Sequence, residues 1–385
     1  MPSYAHPIAS RLPDVGTTIF TVMSALAQEH GAINLSQGFP DFDCPAVLQE
    51  LIFKHVRAGR NQYAPMTGVP QLREAIAAKV ESLYGQRYDP GDEITVTAGA
   101  TQAIYTAVAA LVRPGDEVIV FEPAYDSYVP SITLAGGTPV YARLEFPDYH
   151  IDWDELRALI TPRTRMIMIN TPNNPTGSVF SAADMRALEA LVCDTNIVIV
   201  SDEVYEHIVF DGHRHESAAR YPGLAERSFV VSSFGKTYHM TGWKMAYCLA
   251  PRELMVEFRK AHQFIVFSCN TPVQWALAEF LAKRDHYLGL AAFYQAKRDF
   301  FLRAMEGSRF VALPSRGTYF QLFRYDAISD EHDAEFARRM TREVGVASIP
   351  VSVFYRDRED NKVVRFCFAK SEATLAEGAQ RLARL

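Results

Sequence analysis

Lys236 lies in Ser232-Ser-Phe-Gly-Lys-Thr-Tyr, directly after an apolar stretch, with no acidic residue within four positions. An amine in such surroundings can be desolvated, which lowers its pKa and frees a nucleophile able to bond a carbonyl carbon. A solvated loop lysine would carry the same local sequence. Asp202 follows the apolar run Ile197–Ser201, in Ser-Asp-Glu-Val-Tyr. It reads equally as a helix N-cap or as a deep carboxylate able to pair with a protonated ring nitrogen. Tyr205, three residues on, is a packing residue or a donor to a ring oxygen. Asn174 sits in the rigid turn Thr171-Pro-Asn-Asn-Pro-Thr-Gly. Its amide can donate to an oxygen, although a plain turn is the simpler reading. Gly99-Ala-Thr-Gln opens a helix after a strand, where small residues and the helix dipole favour an anion. Ser233 and Lys244 can add a hydroxyl and a cation. Arg365 interrupts the apolar strand Val363-Val-Arg-Phe-Cys-Phe. A charge there needs a partner, either an internal acid or the carboxylate of a small ligand. An amine, an acid for a ring nitrogen and a phosphate cup are together what a phosphorylated aldehyde cofactor requires.

These residues need elements that end side by side. The middle of the chain reads as strands alternating with helices. Strands are expected at Glu93–Thr97, Glu117–Phe121, Arg165–Asn170, Ile197–Ser201, Phe229–Ser232 and Met245–Leu249. Helices are expected from Ala100 to about Val112 and, capped by Ser181, to about Val192. Nearly pure apolar strands imply a mostly parallel sheet covered on both faces. In such sheets ligands bind beyond the strand ends, where the candidates fall. After Pro251 the pattern changes to long helices, Glu253–Phe264 and Asp285–Met305. Short strands follow at Tyr319–Phe323 and Val363–Phe368, with a helix over Asp333–Val344 between them. The expected division is an N-terminal segment 1–45 packing on the small domain, a large domain 46–289 and a small α+β domain 290–385.

The 385 residues are 48% hydrophobic and 22% charged, with a net charge of -6. That composition suits a globular enzyme and gives no footprint for nucleic acid or an anionic membrane. Five scattered cysteines without a Cys-x-x-Cys pair argue against a disulfide framework and a zinc site. They suit a reducing cytoplasm. No secretory signal and no membrane span is expected.

Asn174-Pro-Thr-Gly, Ser201-Asp-Glu-Val-Tyr205, Ser233-Phe-Gly-Lys236 and the following Lys244 form an ordered set. That set resembles the class I/II aminotransferases of the pyridoxal-phosphate (PLP) fold type I, from about Arg11 to the C-terminus. The resemblance implies an α/β fold with a large domain built on a mostly parallel seven-stranded sheet, plus a smaller α+β C-terminal domain. It implies that Lys236 bonds the cofactor and carries a proton, and that Asp202 holds the ring nitrogen. Asn174 and Tyr205 would bond the ring oxygen, and Tyr125 would stack on the ring. Ala100, Thr101, Gln102, Ser233 and Lys244 would hold the phosphate. Many relatives carry arginine where this chain has Lys244, which keeps the charge and loses the fork. Arg365, Asn174 and the backbone at Gly38 would bind the substrate carboxylate. Tyr63 would reach the phosphate of the neighbouring subunit, giving a homodimer with shared sites.

Asn34-Leu-Ser-Gln-Gly-Phe-Pro-Asp-Phe, Gln62-Tyr-Ala-Pro-Met-Thr-Gly and Ile265-Val-Phe-Ser-Cys-Asn-Thr-Pro are similar to the kynurenine aminotransferase-like branch. Within that branch the chain resembles the bacterial methionine aminotransferases. Phe20, Tyr63 and Phe267 would line an apolar side-chain pocket. The implied reaction moves an amino group from methionine, or another apolar or aromatic amino acid, to a 2-oxo acid in two half-reactions. Kynurenine/glutamine-type transamination and β-elimination of cysteine conjugates are the alternatives within the same chemistry. A PLP-responsive regulatory protein is the non-enzymatic alternative; it would be expected to carry a DNA-binding module, and no basic segment precedes this region. A nicotinamide-dependent oxidoreductase lacks its Gly-x-Gly-x-x-Gly loop.

Overall fold

The computed structural model describes Pro2, Tyr4 and residues 6–385. Its centre is an eight-stranded sheet. The spatial order is Ile94–Thr97, Ala246–Leu249, Ser228–Ser233, Val198–Asp202, Thr164–Asn170, Glu117–Glu122, Thr138–Glu145 and His150–Ile151. Neighbouring strands are parallel from Ser228–Ser233 through Thr138–Glu145. Ala246–Leu249 runs antiparallel to both its neighbours. His150–Ile151 pairs antiparallel with Leu144 and Glu145. The main sheet therefore has seven strands and a two-residue arm at one edge. That arm is too short to show a sequence period.

The strands are mostly apolar because each face has its own core. Val118, Val120, Val198 and Val200 meet the helices Ala100–Leu111, Tyr128–Ala135 and Arg252–Ile265 on one side. Ile119, Phe121, Ile167 and Ile199 face the other, larger core. Alternate residues point to opposite faces, so covering both leaves few positions for polar residues. Complete burial of a side chain such as Ile199 stabilises by about 1.5–3 kcal/mol.

The C-terminal part holds a four-stranded antiparallel sheet in the order Val311–Ala312, Phe320–Arg324, Val363–Cys367 and Ile349–Pro350. The early strand Ile33–Asn34 pairs in parallel with Val346–Ala347. This ties the chain just before Gly38 to the far end of the sequence.

Several elements differ from the sequence reading. The expected helix Asp285–Met305 is two helices, Asp285–Leu288 and Leu290–Ala304, separated at Gly289. The expected helix Asp333–Val344 is α-helical over Asp333–Arg339 and widens into a π-turn over Met340–Val344. Helices Ala46–Arg57, Pro70–Tyr84 and Thr271–Phe280 also form. Among the described residues no helix is long and apolar enough to cross a membrane.

Candidate active site

The parallel strands deliver their chemistry at one edge of the sheet. Asp202 is the last residue of its strand, and Asn170 the last of its neighbour. Ser233 ends the next strand and caps the four-residue helix Phe234–Thr237, accepting from the Lys236 N–H at 3.3 Å. Lys236 is thereby placed one turn beyond a strand end. Asn170 joins the loops, since its Nδ2 donates to the Asp202 carbonyl at 3.0 Å and its Oδ1 accepts from the Asn174 N–H at 2.8 Å.

These residues enclose a cavity of about 150 Å³. Lys236 Nζ donates to the Tyr319 hydroxyl at 2.7 Å and to the Gly38 carbonyl at 3.0 Å. Tyr319 itself donates to Gly38 at 2.6 Å. Burial, reinforced by the Arg365 and Lys244 cations, pushes the Lys236 amine down to about 8. Asp202, on the floor, is raised to about 6 by burial. Its Oδ2 accepts from the Tyr128 hydroxyl at 2.5 Å, and its Oδ1 from the Val204 N–H at 3.3 Å. Both bonds favour the ionised form and limit the rise. The two readings of Asp202 thus share one residue: it caps a turn and faces the cavity. Tyr125, Asn174 and Tyr205 line the same walls. Burial raises the Tyr125 phenol to about 12 and the Tyr205 phenol higher still.

The anion cup lies at the opening of the helix Ala100–Leu111. Its first backbone bond runs from the Ala103 N–H to the Gly99 carbonyl at 3.2 Å. The N–H groups of Ala100, Thr101 and Gln102 are therefore left unused by the helix. Lys244 crosses the same turn, in contact with the position a Gly99 side chain would occupy: a Cβ there would lie 3.3 Å from Nζ. Gly99 also has φ +90°, so no other residue fits this turn without strain. Gln102 differs from the sequence expectation in one respect. Its side chain bonds the Ala98 N–H, Thr106 Oγ1 and His262 Nδ1, at 2.9, 2.6 and 3.1 Å. Only its backbone is available to an anion.

Arg365 is fully buried beside the cavity. Its Nη1 donates to Asn174 Oδ1 at 2.6 Å and its Nη2 to the Ser36 carbonyl at 3.0 Å. Its Nε has no hydrogen-bond partner among the described residues. Burial lowers it to about 10. The guanidinium carbon stands 3.8 Å from the Phe320 ring centroid, 5.3 Å from Phe20 and 5.6 Å from Phe354. Phe20 lines a wide groove that meets the cavity at Tyr125 and Thr101. Gly38 is boxed in, since a Cβ there would come 2.6 Å from the Phe320 ring. Tyr63 and Phe267 do not join the site within one chain. They stack edge to face at 5.1 Å and are 80% and 56% exposed.

Sequence reasoning missed Tyr128, Tyr319, Asn170 and Ser36. Tyr128 opens a helix three residues after Tyr125, a spacing that is a usable signal. Nothing local marks Tyr319 or the Ser36 carbonyl.

A buried acid, a desolvated lysine and a glycine-fronted anion cup beside a cation fit pyridoxal 5'-phosphate. The comparisons agree with that fit. The family model for aminotransferase class I and II matches residues 30–382, and the chain belongs to that family. It has the PLP fold type I and is a PLP-dependent aminotransferase. It is 55% identical to methionine aminotransferase of Escherichia coli K12, over 98% of each chain. The crystal structure of YbdL from Escherichia coli, described as having a methionine aminotransferase function, superposes with a TM-score of 0.97. The identity is 54%, over 99% of this chain and all of that one. The chain is also 34% identical to human kynurenine–oxoglutarate transaminase 1, over 97% of each.

Proposed function

We propose that this chain moves the amino group of methionine, and of other apolar or aromatic amino acids, to a 2-oxo acid. The observation that carries the proposal is Arg365, a buried cation that bonds the cavity-lining Asn174 and stacks on Phe320. A guanidinium there takes a carboxylate, and the rings of Phe20, Phe320 and Phe354 leave an apolar side chain as the matching remainder. The likeness to a named methionine aminotransferase favours the same substrate.

When bound, the cofactor supplies an electron-withdrawing ring and a carbon that accepts the amino group. The chain does the rest. Lys236 would hold the cofactor through its aldehyde carbon, and its amine, once free, would carry the proton that leaves the substrate Cα. Its lowered pKa leaves part of it neutral near pH 8, as both roles require. Asp202 would keep the ring nitrogen protonated. Asn174 and Tyr205 would donate to the ring oxygen, and Tyr125 would cover the ring face. Ala100, Thr101, Gln102 through its backbone, Ser233 and Lys244 would hold the phosphate. Gly38 and Asn174 orient the substrate at Arg365. Tyr63 and Phe267, exposed on one chain, meet the site of a second copy in a homodimer. The working division is 1–45, 46–289 and 290–385, and the compartment is the cytoplasm.

The test is a panel of amino acids and 2-oxo acids against the PLP-loaded protein. Methionine is expected to lead, with leucine and aromatic residues within one to two orders of magnitude, because apolar pockets separate such side chains by only about 1–3 kcal/mol. Turnover of aspartate above methionine, or kynurenine as sole donor, would refute the proposal.

A further inference from the structure

Behind the turn that carries Asp202 and Tyr205 lies a second set of buried polar groups that the reaction does not touch. Asp202 and Tyr205 face the cavity, while Glu203 and Glu206, each next to one of them, make their bonds elsewhere. Glu203 Oε1 accepts from the Ser201 hydroxyl at 2.7 Å and the Ala218 N–H at 2.9 Å. Its Oε2 lies 2.9 Å from His215 Nε2. Glu206 Oε1 lies 2.7 Å from Lys79 Nζ and 3.2 Å from the Tyr247 hydroxyl, and its Oε2 accepts from Tyr84. Lys79 also reaches Tyr247 at 2.9 Å, and His207 Nε2 stands 3.7 Å from Glu206. Lys79 and Glu206 are 6% and 5% exposed.

A buried ion pair is a poor way to gain stability, because desolvating two charges offsets most of their attraction. What it does supply is a fixed geometry. Lys79 and Tyr84 come from the helix Pro70–Tyr84, and Tyr247 from the strand Ala246–Leu249. Two well-anchored elements thus grip one carboxylate next to Tyr205. Within the turn itself the backbone holds by the Glu206 N–H to the Glu203 carbonyl at 2.9 Å and the Ile208 N–H to the Tyr205 carbonyl at 2.8 Å. A tyrosine is a long lever, so a small rotation of this turn displaces its hydroxyl enough to break a hydrogen bond.

We propose that Glu206, gripped by Lys79, Tyr84 and Tyr247, is a positioning residue that fixes the Tyr205 hydroxyl in the cofactor pocket. This rests on the reading of Tyr205 as a donor to the cofactor's ring oxygen. The test compares wild type, Tyr205→Phe, Glu206→Gln and the double variant Tyr205→Phe/Glu206→Gln. Three quantities are read: PLP affinity of the apoprotein, the pH midpoint of the bound cofactor's absorbance, and the melting temperature. Glu117→Gln is the control; Glu117 bonds Thr161 at 2.5 Å and Arg163 at 2.9 Å, at the opposite end of the sheet. Glu206→Gln is expected to raise the midpoint by about one unit and to weaken PLP about tenfold, the size of one charge-assisted hydrogen bond. The double variant is expected to shift no further than Tyr205→Phe alone. Should Glu206→Gln not fold, Lys79→Met/Glu206→Gln removes both charges and takes its place. An unchanged midpoint with a melting loss like that of Glu117→Gln, or additive shifts, overturns the positioning role. A wild-type midpoint in Tyr205→Phe overturns the reading of Tyr205 as well.

Discussion

Replacing Tyr128 by phenylalanine should change how the protein holds its cofactor as a function of pH. The Tyr128 hydroxyl donates to Asp202 Oδ2 at 2.5 Å, and both residues are buried. Burial has already raised Asp202 to about 6, with this bond opposing the rise. A hydrogen bond to a charged group contributes about 1.5–3 kcal/mol, and one pKa unit corresponds to about 1.4 kcal/mol. Taking about 2 kcal/mol, removal shifts Asp202 by roughly 1.5 units, to about 7.5. At pH 7 the ionised fraction then falls from about nine-tenths to about one-quarter. Only the ionised acid pairs with a protonated ring nitrogen, so PLP should bind about fourfold more weakly at pH 7. At pH 9 both proteins are ionised and the deficit should vanish. Fluorescence titration of apoprotein with PLP from pH 5 to 9 measures this directly. A deficit of constant size across the range would refute the reasoning, because it would mean that Tyr128 acts by packing rather than through the Asp202 charge.

Lys236→Ala should abolish amino-group exchange and leave only weak, non-covalent PLP binding, read by dialysis and absorbance. In the wild type, the rate of covalent PLP capture should rise with pH and level off above about 8, where burial has placed the amine. Because that value lies below the lysine's ordinary one, Lys236 favours the folded apoprotein at high pH and disfavours it as pH falls through about 8. Thermal melts of apoprotein between pH 7 and 10, compared with Lys236→Met, should show that slope only in the wild type. Gly99→Ala places a side chain at φ +90° against Lys244, and should cost about 1–3 kcal/mol and weaken PLP at least tenfold. Arg365→Lys loses the fork and the contact with Phe320, and should lower kcat/KM for methionine by about two orders of magnitude.

The site residues legible in the sequence are those whose place depends on local structure. Asp202 and Lys236 follow apolar strands, and a strand end is readable from composition. Ala100 and Thr101 open a helix, which small residues announce. Gln102 was misjudged in part, because its side chain found partners on its own helix and on His262. Tyr128 and Tyr319 escaped because they reach Asp202 and Lys236 only through packing, from 74 and 83 residues away in sequence. Tyr319's local sequence looks like ordinary aromatic core, and Tyr128 is marked only by its three-residue spacing from Tyr125. The breaks at Gly289 and at Met340 were hidden because the apolar spacing runs on through both. Tyr63 and Phe267 lie outside the cavity of a single chain, so their assignment depends on a second copy.

One electrostatic logic connects the parts. Lys236, Asp202 and Arg365 are all pushed by burial toward their neutral forms. In the free protein each charge is thus held at a cost. Each cost has a matching partner in the reaction: a protonated ring nitrogen would meet Asp202, an aldehyde carbon would take the neutral amine of Lys236, and a substrate carboxylate would pair with Arg365. Among the described residues, the unpartnered Nε of Arg365 and the N–H groups of Ala100, Thr101 and Gln102 that the helix leaves unused follow the same rule. A cavity built this way gains more from the right ligand than a relaxed one would, because the penalty was incurred on folding and is released on binding. The groups that hold Asp202 and Lys236 in their strained state, Tyr128 and Tyr319, are therefore as much part of the chemistry as the residues they hold.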